Sequence, residues 1–581
     1  MNILGINAFH GDASACLVSG GVLRAAVEEE RFRRVKHWAG FPTEAIKYCL
    51  ASSKMTLADV DVVALNSNPR ANRWRKLYYV LRNRPDPKFL AKRLASRKKR
   101  MRVPELLEQA FPNNGFRGKV EHVEHHLAHL ASAFYVSPFE EAAVASIDGF
   151  GDFASAAWGI GRGNHIEIVG RVHFPHSLGI FYETMTHYLG FRKYGDEYKV
   201  MGLAPYGKPE YMDAMREIVY VAPHSAFRLN LKYFRHHTGE ATYSWENGEP
   251  TSDDYYSDEL EKLLGPARKK DDPLTQQHKD IARSVQTMYE DAAFELLNGL
   301  HERFPVKDLC LAGGCAMNSV ANGKVYLRTP YRRLYVQAAA GDAGGAIGAA
   351  YGAYMQVGGD RKFVMRDAYW GPEFNDVEIA TLLNNRRGEL DQERCEIAHL
   401  DNEQELCRQT AQIIADGNVV GWFQGRLEWG PRALGNRSIV CDPRRADMKD
   451  ILNSKIKRRE SFRPFAPSIL REHVAKWFEL EDDVPFMMQV FQIREDKRGS
   501  IPAVTHVDGS GRLQTVTRDG NARYYGLIDA FHALTGVPIV LNTSFNENEP
   551  IVNQPSEALN CFLRTRMDAL VLGNYIVRRT K

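Results

Sequence analysis

The first apolar runs are short and separated by turn-formers. Residues 3–8, 13–18 and 22–27 are almost continuously apolar, and Ser-Gly-Gly divides the second from the third. Such punctuation predicts a β-meander. A second copy of this opening follows. Ile6-Asn-Ala-Phe-His-Gly-Asp-Ala-Ser-Ala15 aligns without gaps with Ile147-Asp-Gly-Phe-Gly-Asp-Phe-Ala-Ser-Ala156, identical at five of ten positions. Chance likeness of two hairpins is one reading. The sharper one is a duplicated domain whose two loops face a shared cleft. Two strand–loop–helix units come next. Residues 309–312 run into Gly313-Gly314 and a helix over 316–325. Residues 334–337 run into Ala-Gly-Asp-Ala-Gly-Gly and a small-residue helix over 346–354. Glycines at such junctions let backbone amides approach an anion. No Walker A sequence or dinucleotide-binding frame occurs. After residue 361 the texture changes: Tyr369-Trp-Gly-Pro-Glu-Phe reads as extended linker, then 401–415 as helix and 419–423 as strand. The expected domains are 1–362 and 363–581, in a mixed α/β class.

Composition narrows the class. The chain has 581 residues, enough for two to four domains, and 44% are apolar. Lys plus Arg is 76 and Asp plus Glu is 72, a formal charge of +4, so the chain as a whole is neither polybasic nor polyacidic. A charged fraction of 25% and an aromatic fraction of 10% argue against disorder. No apolar run reaches the length of a membrane span, and MNILGINAFHGDAS does not read as a signal peptide. Eight cysteines form no C-x-x-C pair. A soluble cytoplasmic enzyme is the expectation. One stretch departs from balance. Residues 70–102 hold fourteen Lys or Arg and one acid, Asp86, with Trp74, Tyr78, Tyr79 and Phe89 interleaved. They read either as a surface for an anionic partner or as a solvated basic helical pair.

Candidate chemistry gathers in a few places. His125 and His129 sit four apart; in a helix starting near His125, Leu127, Leu130, Ala131 and Phe134 form an apolar stripe with both histidines on the next one. Imidazoles at i,i+4 can share a metal. His122 and His126 have the same spacing, but His122 falls in a predicted strand, 120–123. Asp148, in the second repeat loop, and Asp342, in the last glycine-rich loop, would complete an N/O donor set for iron, manganese or zinc. The plain alternative for Asp342 is helix capping. His10, in the first repeat loop where the second copy has Gly151, could serve as a general base. In the second domain, Arg426-Leu-Glu-Trp-Gly-Pro-Arg432-Ala-Leu-Gly-Asn-Arg437, Lys455, Lys457, Arg458 and Arg463 suggest an anion pocket, with Asn542 and Ser544 able to bind a carbonyl or amide. The alternative is a basic surface bridged to Asp442, Asp447 and Glu460.

Taken together, GINAFHGDAS, HHLAH, SIDGFGD, EYKVMGLAPYG, LAGGCAMNS, GDAGGAIGAA, QGRLEWGPRALGNRSI, FRPFAPSIL and LNTSFNENEPIV resemble the O-carbamoyltransferases of the nodulation, tobramycin and cephalosporin type, end to end and in order. The basic stretch belongs to none of these motifs. The resemblance implies a duplicated actin-like N-terminal domain akin to tRNA threonylcarbamoyl transferases and a YrdC-like, adenylate-forming C-terminal domain. It implies that ATP, with Mg2+, and carbamoyl phosphate give a carbamoyl-adenylate, whose carbamoyl group passes to a hydroxyl of a small acceptor such as a secondary metabolite or glycan. By position, His125, His129, Asp148 and Asp342 match Fe2+ ligands, with other divalent metals admissible. His10, Asp148, Lys457 and Arg463 are the implied catalytic groups. Gly313, Gly314, Asn318, Arg432, Lys457, Arg463, Arg512, Asn542 and Ser544 are the implied nucleotide and carbamoyl-adenylate contacts. A homodimer is compatible, and nucleic acid is not the expected partner. The alternatives are a tRNA threonylcarbamoyl-type transferase, a hydrogenase-maturation carbamoyltransferase, whose paired C-x-x-C fingers are absent here, and a non-catalytic sensor.

Overall fold

A computed structural model describes residues 1–83, 103–113, 115–238, 243–458, 460 and 462–580. The chain divides into two compact units, Met1–Met365 and Arg366–Lys581. Part of the basic stretch, residues 84–102, lies outside the described residues.

The first unit contains one topology twice. β1 (Asn2–Asn7), β2 (Ser14–Ser19) and β3 (Val22–Glu28) form the expected antiparallel meander; β4 (Val62–Leu65) and β5 (Lys119–His122) add in parallel, in the order β3-β2-β1-β4-β5. Helix α1 (Arg73–Asn83) lies between β4 and β5, and α2 (His125–Phe134) follows β5. The second half repeats the plan with β6 (Glu141–Gly151), β7 (Ala154–Arg162), β8 (His165–His173), β9 (Asp308–Ala312) and β10 (Arg333–Val336), ordered β8-β7-β6-β9-β10 and followed by α3 (Gly345–Gln356). The duplication holds at single-residue register. Ile6 pairs with Ala15 and Ile147 with Ala156, the same positions that the ungapped alignment equates. The equated Asp12 and Phe153 also share a left-handed backbone, φ 59° and 74°.

The closing helices are exchanged. α2 packs on the second sheet, α3 on the first, and the two helices pack on each other. Small residues allow this approach. A Cβ on Gly348 would stand 1.7 Å from the Ala128 carbonyl oxygen, and one on Gly5 2.1 Å from that of Ala346. Burial between the second sheet and α3 also corrects the single apolar stripe expected for α2. Every residue of α2 is buried except Leu127. Gly348→Ala should force α2 and α3 apart and cost about 1–3 kcal/mol of stability, read as a lower melting temperature; an unchanged melt would show that the packing tolerates a methyl there. The helix expected over 316–325 is instead broken. A 3-10 turn, Gly314–Met317, precedes the short helix Ser319–Gly323, because the Asn318 side chain caps a fresh start by accepting from Ala321 N at 3.1 Å.

The second unit is built on a nine-stranded mixed sheet. Its strands are β11 (Cys395–His399), β12 (Val420–Phe423), β13 (Arg437–Cys441), β14 (Ala466–Leu470), β15 (Gln489–Gln492), β16 (Ser510–Val516), β17 (Ile539–Ser544), β18 (Ala569–Leu572) and β19 (Tyr575–Arg579), ordered β11-β19-β18-β12-β13-β17-β14-β16-β15. β12, β13, β14 and β18 are wholly buried, which explains the unalternating apolar runs of β12 and β18. Helices α4 (Glu403–Ala415) and α5 (Ala522–Thr535) pack against each other. A π-helical turn, Asn453–Lys457, ends at Arg458 in a left-handed conformation, φ 43°. Such turns recur at functional sites. No helix among the described residues is long and apolar enough to cross a membrane. All eight cysteines are free thiols.

Candidate active site

In the first unit, His125 and His129 on α2, Asp148 on β6 and Asp342 just before α3 bring one donor atom each within 4.8 Å of one another. The two Nε2 atoms lie 3.0 Å apart. Asp148 Oδ2 is 3.1 Å from His125 Nε2 and 3.4 Å from His129 Nε2. Asp342 Oδ1 is 3.5 Å and 3.4 Å from the same two nitrogens. Donors bonded at about 2.1 Å to one centre sit roughly 3.0–3.4 Å from their neighbours, so the cluster has the dimensions of a first coordination sphere. Its second oxygens are anchored. Asp148 Oδ1 accepts from Gly314 N at 2.8 Å, and Asp342 Oδ2 lies 2.9 Å from His10 Nδ1. Such outer partners aim ligands.

The electrostatics also ask for a cation. Burial opposes charge on His129, yet the facing Asp148 and Asp342 carboxylates raise its pKa to about 10. Burial opposes charge on Asp148 too, but hydrogen bonds from His125 and His129 hold it well below the carboxylate range. Asp342 Oδ1 is buried without a hydrogen bond. Two imidazoles and two carboxylates fit a divalent metal of the iron, manganese or zinc kind. Asp342 does not cap its helix: the 3-10 turn Asp342–Gly344 has no side-chain cap. His126 stands apart, bonded to Ser146 Oγ at 2.8 Å, with burial lowering its pKa to about 4. His122 contacts the Ser67 carbonyl.

His10 Nε2 is buried and has no partner among the described residues. The second repeat has Gly151 at this position for a steric reason: a Cβ there would lie 2.0 Å from the His125 ring. Gly313, φ 87°, brings its amide turn against the Ile147 carbonyl, so the anion received by the glycine-rich turn is the protein's own Asp148. Asn318 is committed to its cap and to Gln286, at 3.0 and 3.1 Å. Sequence reasoning missed two residues that fix α2. Glu124 caps it through Leu127 N, and Asp152 Oδ2 accepts from His125 N at 3.0 Å. An acid directly preceding the helix was the available signal for Glu124.

In the second unit, Lys457 is 1% exposed at the end of the π-helical turn. Its ammonium donates to the Ser544 carbonyl at 2.7 Å and to Asn546 O and Oδ1 at 2.8 Å, and lies 3.3 Å from Ser544 Oγ. Asn542, on the same strand as Ser544, donates to the Ala433 carbonyl, Ser468 Oγ and Gln514 Oε1. Its Oδ1 is buried and unsatisfied. That links Lys457, Asn542, Ser544 and the Arg432 loop; Arg512 shares the strand and face of Gln514. Arg463 pairs with Glu460 at 2.7 Å. Two other arginines of the motif serve the backbone. Arg437 is 0% exposed and donates to the carbonyls of Gln424, Asn436, Pro372 and Gly425; Arg426 holds those of Trp370 and Gly371. Asp442 and Asp447 pair with Arg444 and Arg445.

Fold and side-chain geometry together show a metal-type donor cluster in the first unit and a buried network of cationic and amide side chains in the second. The carbamoyltransferase N-terminus family matches residues 2–351, and the carbamoyltransferase C-terminus family residues 411–579. The chain belongs to the carbamoyltransferase family. It is 41% identical to the uncharacterized protein sll1178 of Synechocystis, covering 100% of this chain and 97% of that one. Nodulation protein NolNO of Sinorhizobium fredii is 38% identical over 99% of this chain and 80% of its own length. The 3'-hydroxymethylcephem-O-carbamoyltransferase of Amycolatopsis lactamdurans is 34% identical over 50% of this chain and 51% of its own.

Proposed function

We propose that the protein is an ATP-dependent O-carbamoyltransferase that makes a carbamoyl-adenylate in the second unit and transfers its carbamoyl group to an acceptor hydroxyl at the His125–His129–Asp148–Asp342 cluster. The observation that carries this reading is the cluster itself, whose dimensions fit a divalent metal and which abuts His10. A relative named as an O-carbamoyltransferase supports the choice of an oxygen acceptor.

Atoms balance as follows. Water releases phosphate from carbamoyl phosphate and leaves carbamate. A carbamate oxygen attacks the α-phosphorus of Mg-ATP and expels pyrophosphate. The acceptor oxygen then attacks the carbonyl carbon, and AMP leaves. Arg432, Arg463 and Arg512 would oppose the crowded phosphates, and Lys457, whose protons are held by Ser544 and Asn546, would add its charge from behind them. The unsatisfied Asn542 Oδ1 can accept from the carbamoyl NH2 group. A bound metal, iron in the resembling family, would supply Lewis acidity toward the carbonyl oxygen. His10, oriented by Asp342 through Nδ1, presents Nε2 to take the hydroxyl proton. The test is pyrophosphate release from ATP. It should require carbamoyl phosphate, and release independent of it, or none at all, would contradict the reading.

A further inference from the structure

A large cleft in the first unit, about 1420 Å3, is lined by α1, the β6–β7 turn, β8 and the hairpin Val219–Val221/Phe227–Leu229. Ligand pockets for drug-sized molecules run to about 1,000 Å3, so this one is large enough for an oligomer. Its charge is one-sided. Arg75, Arg82, Arg171, Arg216 and Arg228 line it against two acids, and both acids are engaged: Asp291 with Arg328 at 3.0 Å, Glu295 with His224 N at 2.8 Å; of the arginines, Arg216 pairs with Asp213 at 3.0 Å. Arg75 and Arg228 are exposed and have no carboxylate partner among the described residues. His173 and His176 lie between these cations, and burial together with the flanking arginines lowers both pKa values. A neutral His173 can both donate to and accept from hydroxyl groups, and His176, whose Nδ1 accepts from Leu229 N at 3.2 Å, can donate through Nε2.

The aromatic side chains fall into two sets. Tyr79, Phe153 and Phe174 pack on one another, with ring centroids 5.1–5.7 Å apart, and so fix α1 to the hairpin turn. Tyr78 and Tyr220 are 57% and 54% exposed and can cover sugar rings. The cleft also touches the start of α2 at two points. Arg171 reaches Glu124, the cap of that helix, at 3.6 Å, and Asp152, next to Phe153, accepts from His125 N.

We infer that this cleft holds the acceptor, and that the acceptor is an anionic glycan. Its sulfate, phosphate or carboxylate groups meet the arginines, and its rings lie on the exposed tyrosines. A glycan suits the site better than nucleic acid because it offers many alcohols to the neighbouring cluster, and neutral histidines match hydroxyls. The inference rests on the reading that an alcohol is carbamoylated at that cluster.

Isothermal titration of the full-length protein tests it, with four probes: a heparin hexasaccharide, a hyaluronan hexasaccharide, neutral chitohexaose and a twelve-nucleotide single-stranded RNA. At least one acidic glycan should bind about tenfold or more tighter than chitohexaose, and weaken as salt rises. Arg75→Ala/Arg228→Ala, which alters exposed side chains only, should reduce that affinity about tenfold. Heparin alone would point to sulfate or phosphate; hyaluronan binding would point to carboxylate. Equal binding of chitohexaose, no glycan binding, or an undiminished double variant would overturn the inference. RNA binding tighter than either glycan and lost in the double variant would overturn it in favour of a nucleic-acid site. Binding needs no turnover, so pyrophosphate release without glycan binding would remove this inference and leave the proposed reaction intact.

Discussion

On the proposed reading, His125→Ala should weaken binding of a divalent metal and slow carbamoyl transfer by roughly 10²–10³-fold, while pyrophosphate release dependent on carbamoyl phosphate stays near wild type. The side chain is 3% exposed and contacts both carboxylates and His129. Its removal leaves two facing carboxylates with one imidazole, one donor fewer and no i,i+4 imidazole pair, so a divalent ion should be held more weakly and lost on dialysis against a chelator. The four candidate ligands belong to the first unit, and Lys457 and Arg463, proposed to serve adenylate formation, to the second. Metal content by elemental analysis gives a readout independent of turnover. Loss of both half-reactions with an unchanged melting curve would refute the division of labour.

Arg463→Ala should show the complementary defect. Carbamoyl-phosphate-dependent pyrophosphate release should fall by about 10²–10³-fold, whereas supplied carbamoyl-adenylate should still carbamoylate the acceptor. The side chain is 14% exposed and held by Glu460 at 2.7 Å, so its planar fork is already aimed when phosphates arrive. Arg463→Lys should recover only part of the rate, because a point charge cannot bind in bidentate fashion. Unchanged pyrophosphate release from Arg463→Ala would remove Arg463 from the pocket.

Much of the first unit was legible because its signals are local. Apolar runs and turn glycines place β1 to β3, and the internal repeat places β6 and β7 in the same register. The i,i+4 histidines mark α2. Where reading failed, tertiary placement decided. The buried face of α2 extends almost all round because the second sheet and α3 enclose it, which periodicity cannot foresee. Of the two readings the sequence left for Asp342, helix capping and membership of the donor set, the fold settles the position by bringing its carboxylate beside His10, His125 and His129. Arg426 and Arg437 look like anion ligands in the sequence, but both are used to hold backbone carbonyls. A cation's partner depends on what the fold brings to it. Asp152 gave no signal beyond lying in a loop; its role follows from the hairpin meeting the first turn of α2.

The most direct test follows an oxygen atom. Carbamoyl phosphate labelled with 18O in its carbonyl is incubated with ATP, Mg2+ and the full-length protein, and the AMP formed is weighed by mass spectrometry. A carbamoyl-adenylate passes one of the two equivalent carbamate oxygens to the α-phosphate, so about half of the AMP should carry 18O whether the carbonyl carbon is attacked by an acceptor or by water. Unlabelled AMP, or ADP in its place, would contradict the account.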